Sequence, residues 1–520
     1  MGQRQRKYKM MAFEVAVRNP ERYTSILQIL KAHEGRKLDK DVVFEIVFQL
    51  CEEGIISPKD LATDATDEEI KEHIKNRMSH KADGGFPEGY TARFWCYVRT
   101  LSELGFVYAR YKEKLQLSDV AKMLLGGELS ENEAFAMQIV KYNRYNPYRR
   151  VINDFNYFKF IFHALEQLDK ESKKLSLVQY AVSLFSKTNR PKSFLKLLKD
   201  KKFGNKKDCA YQYLKKECEK DDRCEKIPQK QTVFNDYANA VLRVMKLAGM
   251  ISLTNEGIIC IGLNDYNREM FSKLFAIDLK LSKNEKENAM SYFDKVGANN
   301  LEMYQVIVDN RQRSTGVDDT YGSKLKRIYT KYFSSRTNTL RDCVLNMRLL
   351  KEDEFAHIPD SLKLELLISL YLQEYYPDAI IKPNYKADQY GMPYSHAPGN
   401  VGDIDVSYEG KNWLVEVSMI KNKEQQINSE TINLFRHLAE FNDEQYLSLV
   451  VPHVHTDTKR MINVATLVLM LEKEKNNLYS SAYAFEEFLD ITCRKQNYDD
   501  MKKKTKDFLE GTKKIIEKID

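Results

Sequence analysis

Four acidic residues in the last third of the chain have the types and spacing for metal-assisted hydrolysis. Asp403 opens the alternating segment Asp403-Ile404-Asp405-Val406-Ser407-Tyr408, and Glu409-Gly410-Lys411-Asn412 has turn composition. The next segment, Trp413-Leu414-Val415-Glu416-Val417-Ser418, is apolar around Glu416. An antiparallel hairpin with this turn sets Asp403 and Glu416 on neighbouring positions. Burying a carboxylate is costly unless it is paired or metal-bound. Two converging acids also repel, and a divalent cation answers both problems. Glu365 shares a helical stripe with Ile368 and Leu372, and Glu430 shares one with Ile427, Leu434 and His437, so both face inward. Either helical Glu alone is more often paired to a Lys or slightly out of register than functional. All four in one α/β segment point to a metal site.

The elements that must position them begin at about residue 351: a helix at 361–376, strands at 403–408 and 413–418, a helix at 424–440 and a strand at 446–451. An apolar segment at 464–471 and a basic helical tail at 498–520 follow. Residues 281–350 read as a polar helical connector, broken at Gly316 and Asp318-Asp319. The first half reads as mostly helical, with two similar hairpins. Phe94, Val98, Leu101 and Leu104 have helical spacing, Gly105 stops the helix, and two strands follow at roughly 106–117. The run ending Leu247-Ala248-Gly249-Met250-Ile251 repeats this form before a turn at Asn255-Glu256-Gly257 and a strand at 258–261. Helix, glycine, strand, turn, strand is a winged-helix pattern. The expected fold class is therefore multidomain, α plus α/β: winged-helix-like domains at 1–150 and 151–280, a connector at 281–350 and an α/β nuclease-like domain at 351–520.

Lys plus Arg number 82 against 75 Asp plus Glu, a net charge of +7, so distribution says more than the total. Residues 183–207 hold nine Lys or Arg and one acid, and residues 136–160 interleave cations, including Arg149 and Arg150, with tyrosines. Such mixtures suit a phosphate backbone, although a solvated helix face has the same look. In the first hairpin, alternation puts Tyr108, Arg110, Lys112 and Lys114 on one face, while Arg93 and Arg99 lie off the apolar stripe of the preceding helix. These cations are the candidate DNA contacts. The second hairpin turn carries no cation and is expected to pack against a neighbour.

The 520 residues are 43% hydrophobic and 30% charged, which is globular composition. The longest apolar run, Val464 to Leu471, is too short to span a bilayer. With no signal-peptide core after the basic start, a soluble, cytoplasmic protein without membrane association is expected. Cys209, Cys218 and Cys224 have no His nearby, so reduced thiols are expected there rather than zinc. His453 and His455, two apart after an apolar strand, are a weaker ligand pair.

A hairpin Asp followed by Glu-x-Lys on the next strand is the PD-(D/E)xK nuclease pattern; here Ser418 stands where the Lys belongs. His396-Ala397-Pro398-Gly399-Asn400, Asp403, Glu416-Val417-Ser418, Glu430 and Arg436-His437 together resemble the AlwI-type restriction endonucleases, a group related to PleI, MlyI and site-specific nicking endonucleases. That group lacks the motif Lys and has an upstream helical Glu, which Glu365 matches. The region from Asn19-Pro20-Glu21 to Pro147 resembles the family's recognition region more weakly.

The resemblance implies a type IIS enzyme of a restriction–modification system. An N-terminal region binds a short asymmetric duplex site, and a C-terminal domain cuts a few base pairs to one side. Asp403, Glu416 and Glu365 are the candidate ligands for Mg²⁺, and Glu430 and His437 complete the catalytic set. Without a Lys, the general base is a metal-bound hydroxide, Glu430 or His437. Double-stranded DNA is the expected partner, with a companion methyltransferase in the host; whether catalytic domains pair transiently on DNA stays open. Two other readings compete: a strand-specific nicking enzyme, and a non-catalytic winged-helix DNA-binding protein with a relic nuclease domain.

Overall fold

The computed structural model describes residues 6–13, 22–53, 55–56, 66–78, 90–142, 146–255, 258–277, 288–297, 301–314, 321–397, 401–420, 426, 444–473 and 477–516. The chain divides into two compact units, Met1–Gly316 and Val317–Asp520.

Unit 1 is mainly helical. Helix α1 (Tyr90–Glu103) buries Phe94, Val98 and Leu101, the stripe expected from their spacing. It ends in a left-handed Gly105 (φ +82°), where Phe106 N–H donates to Leu101 O at 2.8 Å and Gly105 N–H to Ser102 O at 3.1 Å. This double bond pattern turns the chain out of the helix. β1 (Val107–Tyr108) and β2 (Gln116–Leu117) then pair antiparallel. After β3 (Leu175–Ser176), helix α2 (Ala238–Leu247) ends the same way at Gly249 (φ +70°), with Met250 N–H on Met245 O at 3.0 Å. β4 (Ile251–Asn255) and β5 (Ile259–Leu263) follow, and the sheet order is β3-β5-β4.

The first hairpin differs from the alternation expected for it. Lys112 has φ +66°, which breaks the period-two pattern between the short strands. The intervening chain is held by residues 35–38 instead, with Lys112 N–H on Leu38 O at 2.9 Å and Leu115 N–H on Arg36 O at 3.0 Å. Arg110, Lys112 and Lys114 are exposed, but Tyr108 is buried against Ala289 and Phe293 and hydrogen-bonds Glu113. A helix far along the chain supplies that cover, and local alternation does not register it.

Residues 281–350 contribute to both units. Met303 and Ile307 join the core of unit 1, while Leu325, Ile328, Leu340 and Val344 join that of unit 2.

Unit 2 opens its α/β part with α3 (Asp360–Tyr375), then β6 (Ile380–Pro383), β7 (Lys386–Ala387), β8 (Pro393–Ser395), β9 (Ile404–Tyr408) and β10 (Lys411–Val417). β11 (Gln445–Val451), α4 (Thr456–Lys473), β12 (Leu478–Ala484), α5 (Phe485–Cys493) and α6 (Asn497–Ile516) follow. The main sheet runs β12-β11-β10-β9-β6. β10, β11 and β12 are parallel, and β9 is antiparallel to both β10 and β6. Alternation splits β10: Trp413, Val415 and Val417 face the core with α3 and α6, while Leu414 faces the one containing Ile462 of α4. The apolar segment 464–471 lies within α4.

The expected helix at 424–440 falls almost wholly outside the described residues. Gln426 is described and fully buried; its amide donates to Ile420 O at 3.0 Å and His453 O at 2.7 Å. The cysteines are free, and among the described residues no helix is long and apolar enough to cross a membrane.

Candidate active site

The β9–β10 hairpin turns on Glu409 and Gly410, both at positive φ (51° and 74°). A two-residue turn with both central residues left-handed matches the twist of the flanking strands and locks their register. Tyr408 pairs with Lys411 and Ile404 with Val415. One step further along this register, position 403 stands opposite position 416.

Glu416 is only 8% exposed, and Gly402 explains how it fits. A Cβ on Gly402 would lie 2.2 Å from Leu414 Cδ1 and 2.9 Å from Glu416 Oε1. Asp403 Oδ2 accepts the Val417 N–H at 2.8 Å, which fixes its carboxyl on β10. Asn384 holds the strand start: its N–H donates to Asp403 O at 2.8 Å, and its amide to Gly402 O at 2.8 Å and Asp405 at 3.0 Å.

Glu365 comes from α3, a helix buried on nearly every side, and is itself 2% exposed. Its Oε1 accepts from His396 Nδ1 at 2.5 Å, and its Oε2 has no hydrogen-bond partner among the described residues. The Asp403 carboxyl feels this crowding. Burial first, then the Glu365 and Glu416 carboxylates, push it well above the usual carboxylate range, against the pull of the Val417 N–H. Asp403 therefore lies in electrostatic reach of both other acids named from sequence, Glu365 and Glu416. Glu430, Arg436 and His437 lie outside the described residues.

This donor set suits a hard divalent cation, because Mg²⁺ takes one or two carboxylates and keeps several waters. Asp403 and Glu416 supply the pair, and Glu365 Oε2 is a buried acceptor without a donor among the described residues. Among the described residues no three His, Cys, Asp or Glu side chains form a ready metal cage. His453 and His455 meet edge to face, with ring centroids 4.9 Å apart. Ser418, in the place of the motif Lys, is 7% exposed, and its Oγ accepts the Ile420 N–H at 3.2 Å. That serine shapes the chain after β10 and supplies no cation.

The family model of the AlwI restriction endonuclease matches residues 102–491, which spans the hairpin, α3 and the sheet. The chain belongs to the AlwI restriction endonuclease family. No curated protein matches it. Among solved structures, the small subunit R.BspD6I2 of the heterodimeric restriction endonuclease R.BspD6I is 19% identical, with TM-score 0.21, over 33% of this chain and 94% of its own. The BpuJ1 endonuclease binding domain, solved with modified DNA, is 12% identical (TM-score 0.31; 55% and 91% covered). Restriction endonuclease FokI is 11% identical (TM-score 0.21; 95% and 96% covered). At such TM-scores the family model alone carries the assignment.

In this AlwI-family chain the candidate DNA contacts sit in unit 1. Arg93 lies on α1, with its side chain outside the description. Arg99 is exposed and donates to Tyr148 O at 3.3 Å. Arg149 donates to Lys9 O at 3.3 Å, and Arg150 is exposed. Sequence reasoning missed Asn384, which follows a short strand with no motif to flag it. It gave His396 no role, although the residue was part of the motif that carried the resemblance.

Proposed function

We propose that this protein is a type IIS restriction endonuclease. In this reading unit 1, with winged-helix-like modules at its two hairpins, binds a short asymmetric site in duplex DNA. Unit 2 hydrolyses phosphodiester bonds a few base pairs to one side. The observation that carries the reading is the half-buried Asp403 beside buried Glu416, with Glu365 close by, inside a chain of the AlwI restriction endonuclease family. Three acids crowded together, two of them buried, repel one another without a cation. A domain kept only as a scaffold would gain by losing them.

Mg²⁺, when bound, supplies Lewis-acid polarisation of the phosphate and lowers the pKa of a coordinated water. Asp403 and Glu416 would hold it, and Glu365 would contribute Oε2. The chain's own groups do the positioning. Val417 N–H and Asn384 fix Asp403, Gly402 admits Glu416, and His396 orients Glu365. Glu430 and His437 remain the proposed source of the general base, since Ser418 provides none. Such an enzyme acts in the cytoplasm beside a methyltransferase that protects the host's own sites.

Run-off sequencing of plasmid cut in Mg²⁺ tests the reading. A single site and a fixed offset on both strands are expected. A cut on one strand only identifies a nicking enzyme. No cleavage, with duplex binding intact, would leave a DNA-binding protein with a relic domain.

A further inference from the structure

In unit 1, stretches far apart in sequence meet around a cavity of about 500 Å³. The segment 7–13 runs through this region as extended chain: Lys7 bridges Val151 and Tyr8 bridges Cys224, both in parallel. Lys9 is the pivot. Its N–H donates to Asn153 Oδ1 at 3.1 Å, and its carbonyl accepts from Asn153 Nδ2 at 2.8 Å and Arg149 at 3.3 Å. Arg99 reaches from α1 to the carbonyl of Tyr148 at 3.3 Å. Arg150 and Lys226, both exposed, line the same cavity.

The charges there do not balance. Two acids share the lining, and both are engaged: Glu225 takes Lys9 Nζ at 2.8 Å, and buried Glu103 accepts the Tyr142 hydroxyl at 2.6 Å. Arg99, Arg149, Arg150 and Lys226 have no carboxylate partner among the described residues. Arg99 and Arg149 each rest on a neutral backbone carbonyl. That contact holds the guanidinium in place without neutralising it. A guanidinium has five N–H donors, so each keeps donors and its full charge for a ligand. A planar fork of this kind takes a phosphate through two parallel bonds.

We propose that this cavity is a phosphate-binding subsite, in which Arg99, Arg149 and Arg150 hold a phosphodiester of duplex DNA. The inference rests on the DNA-binding reading above and adds a place for it. The subsite is built from the 7–13 segment, α1 and the 146–151 stretch, and the exposed cations of the first hairpin do not line it. A free phosphate or mononucleotide shares the same chemistry, so the test separates the sources.

The test uses the full chain in Ca²⁺ with a random-sequence duplex, because phosphate contacts are sequence-independent. Affinity is measured across a salt series for the wild type, Arg99→Ala, Arg150→Ala and Arg149→Lys, with melting temperature as the folding check. Arg99→Ala and Arg150→Ala are each expected to weaken binding several-fold and to reduce the slope of log K against log salt by about 0.9. Arg149→Lys keeps its charge and is expected to keep the slope. Lys173→Ala, outside the cavity lining and paired with Glu171 at 2.7 Å, is the control. Folded Arg99→Ala and Arg150→Ala proteins with the wild-type slope would overturn the assignment. So would tight binding of a deoxynucleoside monophosphate that these variants lose while duplex binding stays unchanged. Failure of the wild type to bind any duplex overturns the DNA reading itself. Thermal shift with inorganic phosphate, lost in the two Ala variants, then still reports whether the cavity takes the anion.

Discussion

His396 Nδ1 stands 2.5 Å from Glu365 Oε1, and the other nitrogen of the same ring is 3.2 Å from Ser361 Oγ. Ser361 and Glu365 lie one turn apart on α3, so a single imidazole ties two points of one helix to the β8 side of the site. A carboxylate only accepts, so Nδ1 carries the proton, and the Ser361 hydroxyl donates to Nε2.

His396→Ala should therefore lower kcat by about 10–100-fold while leaving KM and duplex binding in Ca²⁺ nearly unchanged. His396→Asn retains a short donor and should recover part of the loss. Ser361→Ala should cost less. Single-turnover cleavage kinetics read all three, and a His396→Ala enzyme at wild-type rate would show that Glu365 needs no such support.

Asp403→Asn should abolish cleavage and, at pH high enough to ionise Asp403, stabilise the metal-free protein by roughly 1–3 kcal/mol, because a crowded charge is removed. The pH dependence has a definite sign. Asp403 holds its proton to higher pH when folded than when unfolded. Its contribution is therefore fully present below the usual carboxylate range and is lost as pH rises through the raised folded value. Denaturant melts in EDTA at several pH values should show stability falling with pH in the wild type and less steeply in Asp403→Asn. Parallel curves would count against the raised value.

Metal binding should release a proton. The cation requires Asp403 ionised, whereas burial and two neighbouring acids favour its protonated form without metal. Calorimetry with Ca²⁺ in buffers of different ionisation enthalpy measures this directly, and apparent affinity should rise with pH. Heats independent of buffer would mean that the acids are already ionised.

Gly402→Ala should be costly for a backbone next to a carboxylate. Its Cβ would meet Leu414 Cδ1 at 2.2 Å and Glu416 Oε1 at 2.9 Å. Overpacking of this kind costs about 1–3 kcal/mol, and displacing Glu416 should remove most Mg²⁺-dependent cleavage. A variant that melts and cuts like the wild type would mean that Leu414 and Glu416 move aside freely.

What the sequence determined on its own was local. Asp403 and Glu416 flank a two-residue turn, so hairpin register alone makes them neighbours. The helical stripe placed Glu365 inward because α3 is apolar and continuous. The glycine stops at Gly105 and Gly249 were equally local, being set by backbone conformation. Tertiary structure decided the rest. Tyr108 looked solvent-facing by alternation and is buried by Phe293. β12 was missed because Ser480 and Ser481 interrupt its apolar pattern, yet Ser480 is buried with its hydroxyl 2.5 Å from Thr466. Asn384 secures Asp403, and Lys9 lies beside Arg149 in the unit 1 cavity. Both are contacts between segments distant in sequence. Periodicity reports which face of an element is buried, but the choice of what covers that face belongs to the folded chain as a whole.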